Sequence, residues 1–253
     1  MNITVIGTGN VADHLVSLIG NSKHTLYQVC GRNKERAALL SGRALHSFRS
    51  EPATLRTDAD LYILAVSDDA VSSVAEQMPD VSGIVVHTSG SVKVDALNKF
   101  NSYGVWYPLQ TFSRDQQIDF KDVPVCVEGS DSETTKTISG VFENEVNKVE
   151  EVSSEQRAVV HLSAVFACNF SNHMYHLALK LLSDKGLEFS LLHSLIDETV
   201  KKALRNPPNK VQTGPAVRND HGTLQKHSAM LSEDPELAEI YRLLTAGIQK
   251  NNQ

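Results

Sequence analysis

The feature that most narrows what this chain can become is the run Val5-Ile6-Gly7-Thr8-Gly9-Asn10-Val11-Ala12. It is a Gly-x-Gly-x-x-Ala turn between an apolar strand, Asn2 to Ile6, and a segment whose Val11, Ala12, Leu15, Leu18 and Ile19 recur at helical spacing. A strand, a glycine turn and a helix in this order make the first unit of a doubly wound sheet: the first glycine turns the chain tightly, the second leaves room against the backbone, and the small Ala12 lets helix and strand pack closely. The free N–H groups and partial positive charge of such a helix start suit a pyrophosphate, so Gly7, Thr8, Gly9, Asn10 and Val11 are the expected dinucleotide cradle.

Short apolar runs follow at Leu26 to Cys30, Leu61 to Val66, Ile84 to His87, Val105 to Tyr107 and Val123 to Val127, mostly separated by helix-capable segments. That alternation predicts a mainly parallel sheet with helices on its faces. Asp131 to Glu143 is a further predicted helix, and Lys148 to Val152 a last strand or linker. At Ser153-Ser154-Glu155-Gln156 a capping box opens helical sequence that reaches about Leu182 without Pro or Gly. Leu187 to Leu204 and Leu224 to Ile248 also read as helices, the latter broken at Ser232 to Pro235. The expected fold is therefore α/β, an N-terminal Rossmann domain over 1–152 followed by an all-α domain over 153–253.

Composition sets the outer limits. Of 253 residues 41% are hydrophobic, enough for a real core, and 24 Lys+Arg against 30 Asp+Glu give a formal charge of −6, the wrong sign for gripping a nucleic-acid backbone. No stretch reaches the ~20 apolar residues of a membrane span, and the start lacks the layout of a secretion signal, so a cytoplasmic protein with no membrane partner is expected. Cys30, Cys126 and Cys168 are too far apart for a metal clip and read as reduced thiols, two in strands and one in a helix.

The end of the second strand discriminates between cofactors. An NAD site usually has Asp or Glu there for the ribose 2′-hydroxyl, whereas this chain offers Arg32 and Asn33, with Lys34 and Arg36 beyond, which favours the 2′-phosphate of NADP. Ala65, Val66 and Ser67 end a further strand at the edge where ligands lie; Asp68 or Asp69 reads as a helix cap. His87-Thr88-Ser89-Gly90-Ser91 opens onto the same edge, with Thr88 beside the cofactor and His87 or Ser89 as candidate proton donors; the alternative is a capping serine and a satisfied, partly buried histidine. Trp106-Tyr107-Pro108-Leu109-Gln110-Thr111-Phe112 offers an apolar wall with Gln110 and Thr111 as polar pointers, or, for Trp106, simply core.

In the long helix His161, Cys168, Asn172 and His176 recur near helical period, with Asn169 and His173 beside them, a stripe that would face either a cleft or a second subunit. If it faces the cleft, Asn169, Asn172 and His173 are candidate hydrogen-bond partners of substrate or of the nicotinamide carboxamide; no metal is expected, because His173-x-x-His176 lacks an acidic or thiolate partner at ligand spacing. The irregular Asn206 to Gly222 segment presents Arg218 as a carboxylate clamp, with Asp220 either neutralising it or capping a helix.

The glycine turn, Gly31-Arg32-Asn33, Ala65-Val66-Ser67-Asp68 and the all-α back part resemble pyrroline-5-carboxylate reductase and 6-phosphogluconate-dehydrogenase-like enzymes. His87-Thr88-Ser89-Gly90-Ser91, Pro108-Leu109-Gln110-Thr111-Phe112, Asn169-Phe170-Ser171-Asn172-His173 and Gln212-Thr213-Gly214-Pro215-Ala216-x-Arg218-x-Asp220 are more closely similar to Rossmann-like NADP oxidoreductases of the deazaflavin-coenzyme-dependent type that carry a C-terminal domain of unknown function. The resemblance implies NADP and a helical domain that commonly forms a homodimer. Relatives that oxidise β-hydroxyacids place a lysine four residues before the asparagine of the long helix, where this chain has Val165. The expected activity is hydride transfer between NADP(H) and a small carbonyl or imine substrate, with His87, Ser89, Asn169, Asn172 and Arg218 around it. The alternatives are a non-catalytic NADP-responsive dimer and a flavin- or deazaflavin-linked oxidoreductase.

Overall fold

In the computed structural model, which describes residues 1–251, the front of the chain alternates strand and helix. The elements are β1 (Asn2–Ile6), α1 (Asn10–Gly20), β2 (Thr25–Cys30), α2 (Lys34–Leu40), β3 (Leu61–Leu64), α3 (Val71–Gln77), β4 (Ile84–His87), β5 (Tyr103–Pro108), β6 (Val125–Gly129), α4 (Ser132–Gly140) and β7 (Val149–Glu151). The strands lie in the order β2-β1-β3-β4-β5-β6-β7, parallel except that β6 runs against β5. Strand β1 has β2 on one side and β3 on the other, so the winding reverses at β1 and a crevice opens beyond the carboxyl ends of β1 and β3.

Each face of the sheet carries a core. Ile3, Val5, Leu15, Ile19, Trp106 and Phe142 pack on one face, while Ile6, Tyr62, Leu64, Val71 and Leu97 pack on the other, as the period-two side-chain alternation of buried strands requires. Trp106 belongs to this core, edge-on to Phe142 with ring centroids 5.2 Å apart, and forms no part of an apolar wall at the ligand edge.

Beyond β7 the chain is helical: α5 (Ser154–Ala164), a π-helical turn (Val165–Phe170), α6 (Ser171–Ser183), α7 (His193–Arg205), α8 (His221–Met230) and α9 (Pro235–Asn251). The capping box forms as the sequence predicts, Ser153 accepting from the Gln156 amide and Gln156 from that of Ser153. The segment that the sequence reads as one helix to Leu182 is wound in three parts, α5, the π turn and α6, a π turn being invisible to hydrophobic periodicity. The chain divides into two compact units, Met1–Asn169 and the remainder from Phe170. Helix α5 belongs to the first because its Arg157, fully buried, donates to Glu128 of β6 and to the carbonyl of Val92. Ser154 reinforces the joint, its amide and hydroxyl donating to Glu128 while its oxygen accepts from the Val94 amide.

In the second unit Ala216, Leu231 and Leu237 are buried, whereas Leu187, Leu191, Leu195, Leu204, Met230 and Leu243 are exposed. No helix among the described residues is long and apolar enough to cross a membrane.

Candidate nucleotide-binding and active site

The glycine turn has the geometry its sequence calls for. Gly7 sits at φ +133°, and a Cβ there would lie 2.0 Å from the Ala65 carbonyl oxygen, so a side chain is excluded twice over. Gly9 differs: it is the residue before α1, with extended backbone, no side chain caps the helix start, and a Cβ placed on it meets nothing within 4 Å. The amides of α1's first turn therefore face open space beside a bare backbone, which is the donor set and the clearance that a pyrophosphate needs. The space is part of a groove of about 1150 Å³. Its lining includes Gly7, Thr8, Gly9, Asn10, Val11, Arg32, Asn33, Ala65, Val66 and Ser67. It also includes Ser50, Glu51 and Pro52, Ser73 and Gln77 of α3, and Gln110 and Phe112. The residues assigned to the cofactor from sequence are thus brought together, apart from Thr88, whose hydroxyl bonds the Leu64 carbonyl at 3.4 Å.

At the end of β2 the cations divide their work. Asn33 caps α2 by accepting from the Arg36 amide, and Arg36 forms a 2.8 Å ion pair with Asp13. Arg32 is exposed in the groove wall, its guanidinium left to meet an anion. The side chain of Asn10 donates to the Phe112 carbonyl and His14 bonds that of Ser113, which folds the 110–113 segment across the start of α1 and brings Gln110 to the groove. A second cavity, about 1070 Å³, lies along α1 and the 114–121 segment and contains none of the candidate site residues.

At the end of β4, His87 is fully buried, Nδ1 accepting from the Ser89 amide and Nε2 bonded at 3.4 Å to the Lys93 carbonyl. Burial first, and then the Arg157 cation, pushes its pKa down to about 4, so the ring is neutral at pH 7 and braces its own turn. Ser89 Oγ accepts from the Ser91 and Val92 amides. Asp68 caps no helix; it accepts from Ser91 Oγ at 2.5 Å and so ties the β3 edge to the β4 turn.

Asn169 is exposed at the end of the first unit. In the second unit Asn172 and Arg218 are exposed, His173 and His176 stack with ring centroids 6.2 Å apart, and Asp220 caps α8 by accepting from Thr223. Cys30 and Cys126 are buried free thiols in strands, and Cys168 is an exposed one in the π turn. Among the described residues no group of three or more His, Cys, Asp or Glu is placed to hold a metal ion. Sequence spacing gives no signal for Ser50 to Pro52 and the α3 wall of the groove, which carry no motif, or for the Arg157–Glu128 pair, whose members are 29 positions apart.

A groove over a Gly-x-Gly turn at the switch point of a mainly parallel sheet defines a Rossmann-type dinucleotide-binding protein. Residues 2–96 match the family described as NADP oxidoreductase, coenzyme F420-dependent, and residues 123–248 match a domain of unknown function, DUF2520. A crystal structure assigned as an NADP oxidoreductase of Bacteroides fragilis is 35% identical, with 98% of each chain covered and a TM-score of 0.89. The fold is shared with a reductive aminase of Aspergillus terreus solved with NADPH and ethyl-5-oxohexanoate, 14% identical over 98% of this chain and 92% of that one, TM-score 0.76. A 1-pyrroline-5-carboxylate reductase of Streptococcus pyogenes is 15% identical over 100% and 98%, TM-score 0.63. No curated protein matches the chain. The chain belongs to the NADP oxidoreductase family that includes the Bacteroides protein. It is an NADP-dependent oxidoreductase that transfers hydride.

Proposed function

We propose that this oxidoreductase uses NADPH to reduce a small carbonyl compound or imine. The observation that carries the reading is a glycine cradle on the same strand edge as a turn rich in proton-bearing groups, Thr88, Ser89 and Ser91, locked by a neutral His87. When bound, NADPH supplies the hydride. The chain does the rest: the α1 amides and Arg32 hold the phosphates, Ala65 to Ser67 leave the edge low, and the His87–Ser89 turn keeps its hydroxyls in place. Asn169, Asn172 and Arg218, each exposed and polar, are assigned to orienting the substrate. The carbonyl or imine class is supported by fold neighbours solved as a reductive aminase and a pyrroline-5-carboxylate reductase, and by Val165 in the place of a β-hydroxyacid dehydrogenase's lysine.

The second unit leaves large apolar side chains uncovered, and burying each would stabilise by ~1.5–3 kcal/mol. We assign that surface to a second copy of the chain. Light scattering on the purified protein should give twice the chain mass; a monomer at micromolar concentration contradicts the assignment.

The experiment for the activity is a panel of aldehydes, ketones, keto acids and cyclic imines, the carbonyls with and without an amine, followed by NADPH absorbance. An oxidised deazaflavin is added as a separate arm, because the family matched by residues 2–96 is described as coenzyme F420-dependent. Substrate-dependent NADPH loss in a carbonyl or imine arm is expected; loss only with the deazaflavin, or none at all, overturns the reading.

A further inference from the structure

Two residues that the sequence names separately meet at the ligand edge. Tyr107 is the penultimate residue of β5, and its hydroxyl lies 3.0 Å from Nδ1 of His161 on α5. The rings meet edge to face at 72°. Both are partly buried, and the pair belongs wholly to the first unit. Its position is held firmly: one helical turn before His161, the buried Arg157 fastens α5 to Glu128 and to the Val92 carbonyl. On the other side the imidazole rests on Gly90 so closely that a Cβ there would lie 2.7 Å from its Cγ and Nδ1. A glycine in the His87 to Ser91 turn is thus what admits the ring. Gln110, three residues after Tyr107, lines the nucleotide groove, as does Ser67, next to the Asp68 whose charge acts on Tyr107.

Resting on the proposed reductase reading, we infer that Tyr107 is the catalytic acid of this enzyme and that His161 is the positioning residue that turns and recharges it. Burial, and then Cys126 and Asp68, raise the Tyr107 pKa to about 12 against the opposing effect of Arg157, so the phenol keeps its proton at neutral pH. Such a group is a poor acid toward water but a good one toward an alkoxide or amide anion forming on substrate, which is far more basic. With His161 neutral, the phenol donates to Nδ1. Once His161 takes a proton from solvent, its Nδ1–H donates to Tyr107 Oη instead and the phenol proton is released toward the substrate. With bound NADPH as the source of a hydride and its electron pair at the C=O or C=N carbon, Tyr107 would pass its proton to the oxygen or nitrogen and take the Nδ1 proton of His161. The C=O or C=N π bond is broken, C–H and O–H or N–H bonds are made, the nicotinamide is oxidised, and the one proton consumed comes from solvent.

The test uses Tyr107→Phe, which keeps the ring, and His161→Ala, both checked for folding by circular dichroism and for NADPH affinity. With a panel substrate, Tyr107→Phe should lower kcat by about 100-fold or more while KM and the NADPH dissociation constant stay within about threefold. His161→Ala should lower kcat by at least tenfold and recover in part with added imidazole. Without any substrate, the alkaline absorbance titration assigned to Tyr107 by its loss in Tyr107→Phe should move in His161→Ala. A wild type that reduces nothing in the panel defeats the reductase reading, and this inference with it. An active wild type whose Tyr107→Phe variant keeps kcat within threefold, or a tyrosine titration indifferent to His161→Ala, overturns the inference alone. Should Tyr107→Phe prove unfolded, His161→Ala decides: loss of kcat with imidazole rescue supports the pair, and unchanged kcat overturns it.

Discussion

Replacing Gly9 by aspartate should weaken NADPH binding by roughly 100-fold or more without weakening the fold. Gly9 has extended backbone at φ −81° and ψ −171° and stands at the N-cap of α1 with open space where its Cβ would go. Aspartate is among the best N-cap residues, and its charge suits the positive end of a helix, so thermal stability should hold or rise slightly. The same carboxylate would occupy the clearance over the first-turn amides, satisfy them in place of a phosphate and repel the phosphates that remain. Charge-assisted hydrogen bonds are worth ~1.5–3 kcal/mol each, so losing two implies a rise of roughly 100-fold or more in the dissociation constant. Calorimetric titration with NADPH, beside a melting curve, checks both halves. Binding within fivefold of wild type would mean that the phosphates are held elsewhere. The contrast with Gly7 is physical: there a Cβ would strike the Ala65 carbonyl at 2.0 Å, so its loss would damage the fold before the site could be read.

The second large effect is one of stability. Arg157→Met should cost ~3–5 kcal/mol, because it leaves the Glu128 carboxylate, 17% exposed, without the cation that offsets its burial. At 2–4 °C per kcal/mol for a unit of this size, the melting temperature should fall by roughly 10 °C. Most of that loss belongs to the stranded charge, so Glu128→Gln added to Arg157→Met should restore part of it. Equal melting of Arg157→Met and wild type would show that the pair does not hold α5 to the sheet. The same variant bears on function, since α5 carries His161 to Tyr107.

Much of this arrangement is legible in sequence because it is local. The glycine turn, the alternation of apolar runs and the Ser153–Gln156 capping box each depend on residues a few positions apart, and each forms in the structure as the spacing predicts. The π turn is not legible, because one extra residue in a helical winding leaves the hydrophobic pattern nearly unchanged. Nor could sequence say which polar residues of the β4 turn are free. The rings of His87 and His161 look alike in a sequence, yet the first is enclosed by its own loop and the second reaches a phenol contributed from 54 positions earlier in the chain. In the sequence Asp68 or Asp69 reads as a helix cap because capping is the commonest use of an aspartate there; in the structure neither caps, and Asp68 accepts from Ser91, 23 positions away. Partnerships across a sheet edge depend on which strands are neighbours, and spacing along the chain does not carry that information.

The central claim, that the β1–α1 cradle grips a dinucleotide whose 2′-phosphate is read by Arg32, is tested most directly by titrating wild type and Arg32→Ala with NADPH and with NADH. Arg32 lines the groove while the neighbouring Arg36 is engaged by Asp13, so truncating Arg32 should weaken NADPH by roughly 10- to 100-fold and NADH by less than about twofold. Equal losses for the two coenzymes, or none for either, would contradict it.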